Sequence, residues 1–260
     1  MSEPSTIYRL PLAAYRVLDL GPGAAARYAA RLLGDAGAEV IAVERAVTPR
    51  SDAFRQLNRD KLGCVLDFAM PRGAELVRRL AALCDVVIEG FDEAERERFG
   101  FGYEALRALR PDVIVTSVAG ASADGASATF AGIAAGTAAA AAVCVALLHL
   151  RDTGEGQHVA VDAAACAPAF AAPLPSRSQI LVDSRLRERR FFEPVSHLEG
   201  GVIEMPALLW RLGMTPCHVR LPAPEPGQHN RYVFASLLGL SEEEIAELEA
   251  KGIVVGGWSG

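Results

Sequence analysis

The chain has no surplus of positive charge and no closely spaced cysteines, and each shortage removes a class of function. Twenty-six Lys and Arg stand against 32 Asp and Glu, a formal net charge of −6. General binding to nucleic acid or to an anionic membrane is therefore not expected, and an anionic ligand has to be met by a local group of cations. The five cysteines (Cys64, Cys84, Cys144, Cys166 and Cys217) contain no CxxC pair and lie in apolar sequence. They read as reduced core residues rather than a disulfide framework. No HxxxH or Cys/His spacing supports a metal site, and His149 and His158 read as structural. The opening MSEPSTIYRLPL has no charged region followed by a long apolar run, so the expected address is cytoplasmic. One stretch, 130–150 (FAGIAAGTAAAAAVCVALLHL), is uncharged for long enough to cross a bilayer. Its Ala and Gly give little transfer energy into lipid but favour close helix packing, so it reads as a buried helix.

What the chain does have is material for a core, with 260 residues of which 51% are hydrophobic. In residues 15–45, YRVLDL reads as a strand, GPGAAARYAARLLGDAG as a turn and helix, and AEVIAVE as a second strand, with Gly37 where the helix must stop. The pattern continues with a polar loop TPRSDAFRQLNRDK, a strand GCVLDF, a helix MPRGAELVRRLAALC, a strand DVVIE, and a strand DVIVTSV. Short Val/Ile strands alternating with helices predict an α/β fold, a doubly wound parallel sheet with right-handed crossovers. After the Ala-rich helix, RDTGEGQ reads as a polar turn and HVAVDAA as a strand. Residues 173–227 change character, with many prolines and the charge run RLRERR at 185–190. The expected organisation is a large domain over 1–172, a reduced second domain or arm over 173–227, and a C-terminal helical segment over 228–260 capped by Ser241.

Few motifs carry chemistry outright. Gly21-Pro22-Gly23 lies between a strand and a helix, but Ala26 stands in the last glycine's place of a dinucleotide fingerprint and Pro22 removes an N–H donor, which argues against a nicotinamide cofactor. RQLNRDK sets Arg55, Arg59 and Lys61 with Asn58 before a strand, a donor set that suits phosphate and equally describes a solvated charged loop. Asp124 lies in a Gly-rich loop after a strand, where it serves either as a weak catalytic candidate or as a turn-capping residue. Glu89 and Asp92 are acid or base candidates beside the same end of the sheet.

The order of motifs resembles the family III CoA-transferases, the group of formyl-CoA transferase, carnitine CoA-transferase and α-methylacyl-CoA racemase. The matching pieces are VLDLGPGAAARYAARLLGDAGAEVIAVER, LNRDKLGCVLDF, DVVIEGFDEAERERFGFGYEALRALRPDVIVTSVAG and ALLHLRDTGEGQHVAVD, followed by the tail segment APEPGQHNRYVFASLLGLSEEEIAELEAKGIV. The resemblance implies a Rossmann-like large domain with a small domain in interlocked dimers, and coenzyme A or an acyl-CoA as ligand. It places Asn58 and Lys61 near the adenosine and phosphate end, with Arg59 between them as a further cofactor-binding candidate from the loop's donor set, Arg98 on the CoA phosphates, and Phe91 at the aromatic of an ENF motif whose asparagine is here Gly90. It also implies departures. Aligning GIAAG (132–136) with the family's DxxAG puts Gly132 at the nucleophilic aspartate, and most of the substrate segment before it is missing. Two readings follow: an enzyme acting on a CoA or carrier-protein thioester without the aspartyl nucleophile, by transfer, dehydration, isomerisation or cyclisation, or a non-catalytic subunit paired with a complete family member. A ligand carrier is a third. A homodimer, or a hetero-oligomer with a full-length relative, is the expected assembly.

Overall fold

Runs such as Val-Val-Ile, apolar at every position rather than every second one, can be buried on both faces only if helices cover both sides of their sheet. The computed structural model describes residues 10–119, 126–163, 182–188, 192–197, 201–206 and 219–255, and it contains that arrangement. Six strands, β1 (Arg16–Asp19), β2 (Glu39–Glu44), β3 (Lys61–Val65), β4 (Val86–Glu89), β5 (Ile114–Ala119) and β6 (His158–Asp162), form an all-parallel sheet in the order β3-β2-β1-β4-β5-β6. Chain direction along the sheet reverses between β1 and β4, the topological switch point of a doubly wound fold.

The crossovers are α1 (Ala24–Asp35), α2 (Asp52–Asn58), α3 (Pro71–Ala82), α4 (Glu93–Phe99), α5 (Tyr103–Leu109) and the long α6 (Ala126–Thr153). One core, containing Val17, Ala29, Leu33, Ile88, Ala139 and Val143, fills the space between the sheet and the α1–α6 pair. The other, with Leu18, Ile41, Leu80, Val87, Phe101 and Phe234, lies on the opposite face. Gly37 ends the α1 turn at φ +107, and a Cβ there would strike Leu10. Among the described residues α6 is the one helix long and apolar enough to span a bilayer. It packs along α1 through Ala135, Ala139, Val143, Ala146 and Leu147, and presents Val145 and Leu148 outward.

Two details differ from the sequence expectations. The polar segment expected as one loop is a helix and a strand: Ser51 caps α2 by accepting the Phe54 amide at 3.1 Å, and β3 begins at Lys61 itself. Cys64 and Cys84 are buried as expected, and burial pushes the Cys84 thiol up to about 12, whereas Cys144 is exposed on α6. The stretch 173–227, expected as a reduced second domain or arm, contains among its described residues a short helix α7 (Ser184–Glu188) and an antiparallel hairpin, β7 (Phe192–His197) with β8 (Gly201–Pro206). Cys166, Cys217 and Asp124 lie outside the described residues.

The C-terminal residues complete the second of these cores, on the face opposite α1 and α6. A π-helical segment, Tyr232–Leu237, and α8 (Glu242–Ala250) bury Phe234, Leu238, Ile245 and Leu248 against the sheet. Ser241 and Glu244 form a capping box at α8. The same stretch covers the β3 edge. His229 Nδ1 accepts the Gly63 amide at 3.0 Å, the His229 amide donates to Gly63 O at 3.1 Å, Asp67 donates to Ile253 O, and Leu66 bridges Val254 antiparallel. An edge strand left open would be a template for unwanted pairing.

Candidate functional site

In an open parallel sheet, ligands bind beyond the carboxyl ends of the strands at the switch point. Here that place is framed by two turns, Gly21-Pro22-Gly23 after β1 and Gly90-Phe91 after β4. They lie side by side: a Cβ on Gly90 would lie 3.6 Å from Pro22 Cδ and 3.8 Å from Ala26 Cβ. At Gly21 a Cβ would lie 2.2 Å from that of Ala26, so only glycine lets the chain turn this tightly into α1. At Gly90 the contacts are ordinary ones, so no steric demand explains the glycine there.

Each turn is held by the carboxylate that closes its strand. Asp19 Oδ1 accepts the Gly21 amide at 3.1 Å, while its Oδ2 accepts from Lys61 Nζ at 2.7 Å. Glu89 Oε2 accepts the Phe91 amide at 2.7 Å, and Oε1 accepts from Arg96 Nη1 at 3.3 Å. Arg27 Nε, one turn into α1, donates to Gly21 O at 3.1 Å, and the Arg27 guanidinium lies 5.7 Å from the Phe54 ring. At the end of β2, Arg50 forms a two-point pair with Glu44 and stacks 4.1 Å from the same ring.

The residues singled out from the sequence take different positions. Lys61 is fully buried and also donates to Arg27 O at 2.8 Å; burial lowers its pKa, and the Asp19 charge opposes that shift. Asn58 is buried and gives its side-chain amide to Phe54 O. Arg59 turns toward the other end of α1, where it pairs with Asp35 through two nitrogens, at 3.2 and 2.9 Å, and donates to Pro206 O of the β7–β8 hairpin. It faces no open crevice, because its guanidinium is consumed inside the fold. Phe91 packs into a cluster with Phe68, Phe99 and Phe101 at centroid distances of 5.7 to 6.0 Å, so its ring is core rather than an exposed stacking surface. Arg98 is exposed on α4, its guanidinium 5.4 Å from the Phe99 ring. Sequence reasoning missed Asp19, Arg27 and Arg96. Asp19 is the last residue of a strand followed by a Gly-Pro-Gly turn, a position from which a carboxylate reaches the amide two residues on, and that was the available signal.

Gly132 lies near the start of α6, against the first turn of α1. A Cβ there would stand 3.5 Å from Ala24 Cβ and 3.6 Å from the Ala25 amide nitrogen, so a side chain is sterically permitted and would face α1's N-terminus. Gly136 is different, for a Cβ would come within 2.6 Å of Ala25 O. At the far side of the sheet Ser117 Oγ and His158 Nε2 are 2.8 Å apart, with Tyr103 stacked on the imidazole. Among the described residues no group of three or more His, Cys, Asp or Glu could hold a metal ion.

Residues 12–135 match the family described as CoA-transferase family III. A succinate–glutarate CoA-transferase of Agrobacterium fabrum is 32% identical over 199 residues, covering 57% of this chain and 50% of that protein. A succinyl-CoA–L-malate CoA-transferase beta subunit of Chloroflexus aurantiacus is 34% identical over 128 residues, covering 44% of this chain and 32% of that one. The chain thus spans half or less of the length of these relatives. A crystal structure of a CAIB/BAIF family protein from Brucella suis superposes with a TM-score of 0.75 at 18% identity, over 88% of this chain and 100% of that one, which establishes the shared fold.

Proposed function

From its kinship with CoA-transferase family III over residues 12–135, we propose that this chain binds coenzyme A or an acyl-CoA at the switch-point crevice and acts on the thioester. The observation that carries the reading is the meeting of two internally braced turns at the carboxyl end of β1 and β4, inside the segment the family match covers. In this reading Arg98, exposed on α4, meets the CoA phosphates. Asn58, Lys61 and Phe91 act as the frame beneath the ligand, and Arg59 fastens the hairpin instead of touching it.

Glycine at 132 leaves no carboxylate there to accept an acyl group, so transfer through an aspartyl-CoA anhydride is not the route. Asp124 is the remaining acid candidate. Isothermal titration with coenzyme A tests the reading: saturable binding, weakened in Arg98→Ala, supports it, and a folded protein that takes up no ligand at millimolar concentration ends it.

The second reading is a non-catalytic subunit working beside a complete relative. Gly132 favours it, and the Chloroflexus relative is itself named as a beta subunit. Light scattering of the purified chain, followed by turnover assays, separates the two. A homodimer that processes an acyl-CoA alone excludes the subunit role.

A further inference from the structure

We infer that Asp19 and Glu89 are paired positioning residues, each buried carboxylate with its own cation fixing one of the two turns that frame the crevice before any ligand arrives. The inference rests on the ligand site proposed above and adds the device that shapes it. The two carboxylates share a pattern. Each ends its strand, each accepts the amide two residues ahead, and each gives its other oxygen to a basic side chain. Their strands are neighbours, Asp19 standing level with Ile88, so the two side chains leave opposite faces of the sheet. Asp19 turns toward α1 with Lys61 and Arg27 O; Glu89 turns toward α4 with Arg96.

Such burial has a chemical requirement. Asp19 is 3% and Glu89 0% exposed, and a carboxyl group taken out of water is costly unless hydrogen-bond donors and a cation replace its hydration. Lys61, reaching across from β3 under α1, supplies that for Asp19, and Arg96 for Glu89. The bound turns then have little freedom left, and they lie side by side, with room for no more than a methyl at Gly90 before Pro22 is met. A ligand meeting a preformed turn loses less ordering entropy than one that must fold it.

The test uses the full chain and two readouts: exchange rates of the Gly21 and Phe91 amide protons by NMR without ligand, and coenzyme A affinity by calorimetry. Glu89→Gln keeps an acceptor for Phe91, whereas Glu89→Ala removes it; Asp19→Asn and Asp19→Ala form the second pair. The expected result is an amide exchanging at least about tenfold faster in each alanine variant, near the wild-type rate in the amide variants, with coenzyme A bound about tenfold more weakly by alanine and within about threefold by the conservative pair. Unchanged exchange at Gly21 and Phe91 in folded alanine variants overturns the inference, as does equal loss of affinity in alanine and amide variants. Should Asp19→Ala fail to fold with Lys61 left unpaired, the Glu89 pair decides. A wild-type protein that ignores coenzyme A ends the functional reading, while the exchange arm still decides whether the carboxylates hold the turns.

Discussion

Two buried charge clusters sit at opposite ends of α1, and one four-residue stretch supplies both. Toward the first turn, Asn58 and Lys61 join Asp19 and the Gly21 turn. Toward the last turn, Arg59 and Asp60 join Arg31, Asp35 and Arg220. The first cluster ends at the crevice. The second ends on returning chain: Arg59 donates to Pro206 O, and Asp60 Oδ1 accepts the amides of Arg220 and Leu221 at 2.7 and 2.8 Å. Neighbouring charged residues of similar burial thus do different work, one set bracing the turn after β1, where the ligand is proposed to bind, and the other fastening later chain to the sheet, and the pairing partner makes the difference.

The sharpest way to break that comparison is to remove one cation from each cluster. Lys61→Ala leaves Asp19 buried without a cation and is expected to cost about 3–5 kcal/mol in urea unfolding, whereas Arg59→Ala leaves Asp35 its longer pair with Arg31, at 3.4 Å, and should cost somewhat less, about 2–4 kcal/mol. Calorimetry on the folded fraction should then separate them, with coenzyme A affinity kept in Arg59→Ala and weakened in Lys61→Ala. Equal effects on affinity would erase the division.

A smaller change probes the fastening end through its protons. Burial and the Asp35 charge push Asp60 up to about 6. A carboxyl raised on folding favours the folded state below its unfolded pKa near 3.8, and that contribution is lost as pH rises through about 6. Asp60→Asn keeps an acceptor for both amides and tolerates the φ of +57. It should be more stable than wild type by roughly 1–3 kcal/mol at pH 7.5, with the gain vanishing near pH 4, as read from unfolding curves across pH. A pH-independent difference would place the raised pKa elsewhere.

At the crevice end the two glycines of α6 sharpen the contrast. Gly136→Ala forces a methyl into Ala25 O and should cost about 1–3 kcal/mol, whereas Gly132→Ala should be neutral or gain up to about 1 kcal/mol from helix propensity. Thermal unfolding of the pair checks this. Gly132→Asp should fold as well as wild type and puts a carboxylate beside the Ala25 amide, and any CoA exchange it acquires would identify what the glycine removed.

The smallest expected effect belongs to His229. Burial lowers its pKa below 6.5, so its contribution is full above that value and fades as pH falls, opposite in sign to Asp60. His229→Ala should cost about 1 kcal/mol at pH 7.5 and less at pH 5, measured by the same curves.

The sheet was legible because hydrophobic runs and helix periods are local. DVVIE and DVIVTSV announce strands in their own residues, and Ser241 announces a cap. The stretch 55–61 was not, since Arg59 and Lys61 find partners 24 and 42 positions away, at Asp35 and Asp19, and no local pattern records that. The short α2 misled for a related reason: at seven residues it shows barely two turns of periodicity, and only Ser51 marks its start. The cover over β3 left no trace in sequence either, because irregular chain pairing through His229 and Ile253 has no repeat to detect.

That cover has a consequence in time. Gly63, Val65 and Asp67 emerge from the ribosome long before His229, Ile253 and Val255 can reach them, so during synthesis the β3 flank waits uncapped while the rest of the sheet can already assemble. Its closure is among the most non-local steps of folding and hence among the slow ones. A nascent chain stalled in that interval presents a bare strand to its neighbours, which makes the late segment a safeguard against self-association as well as part of the core.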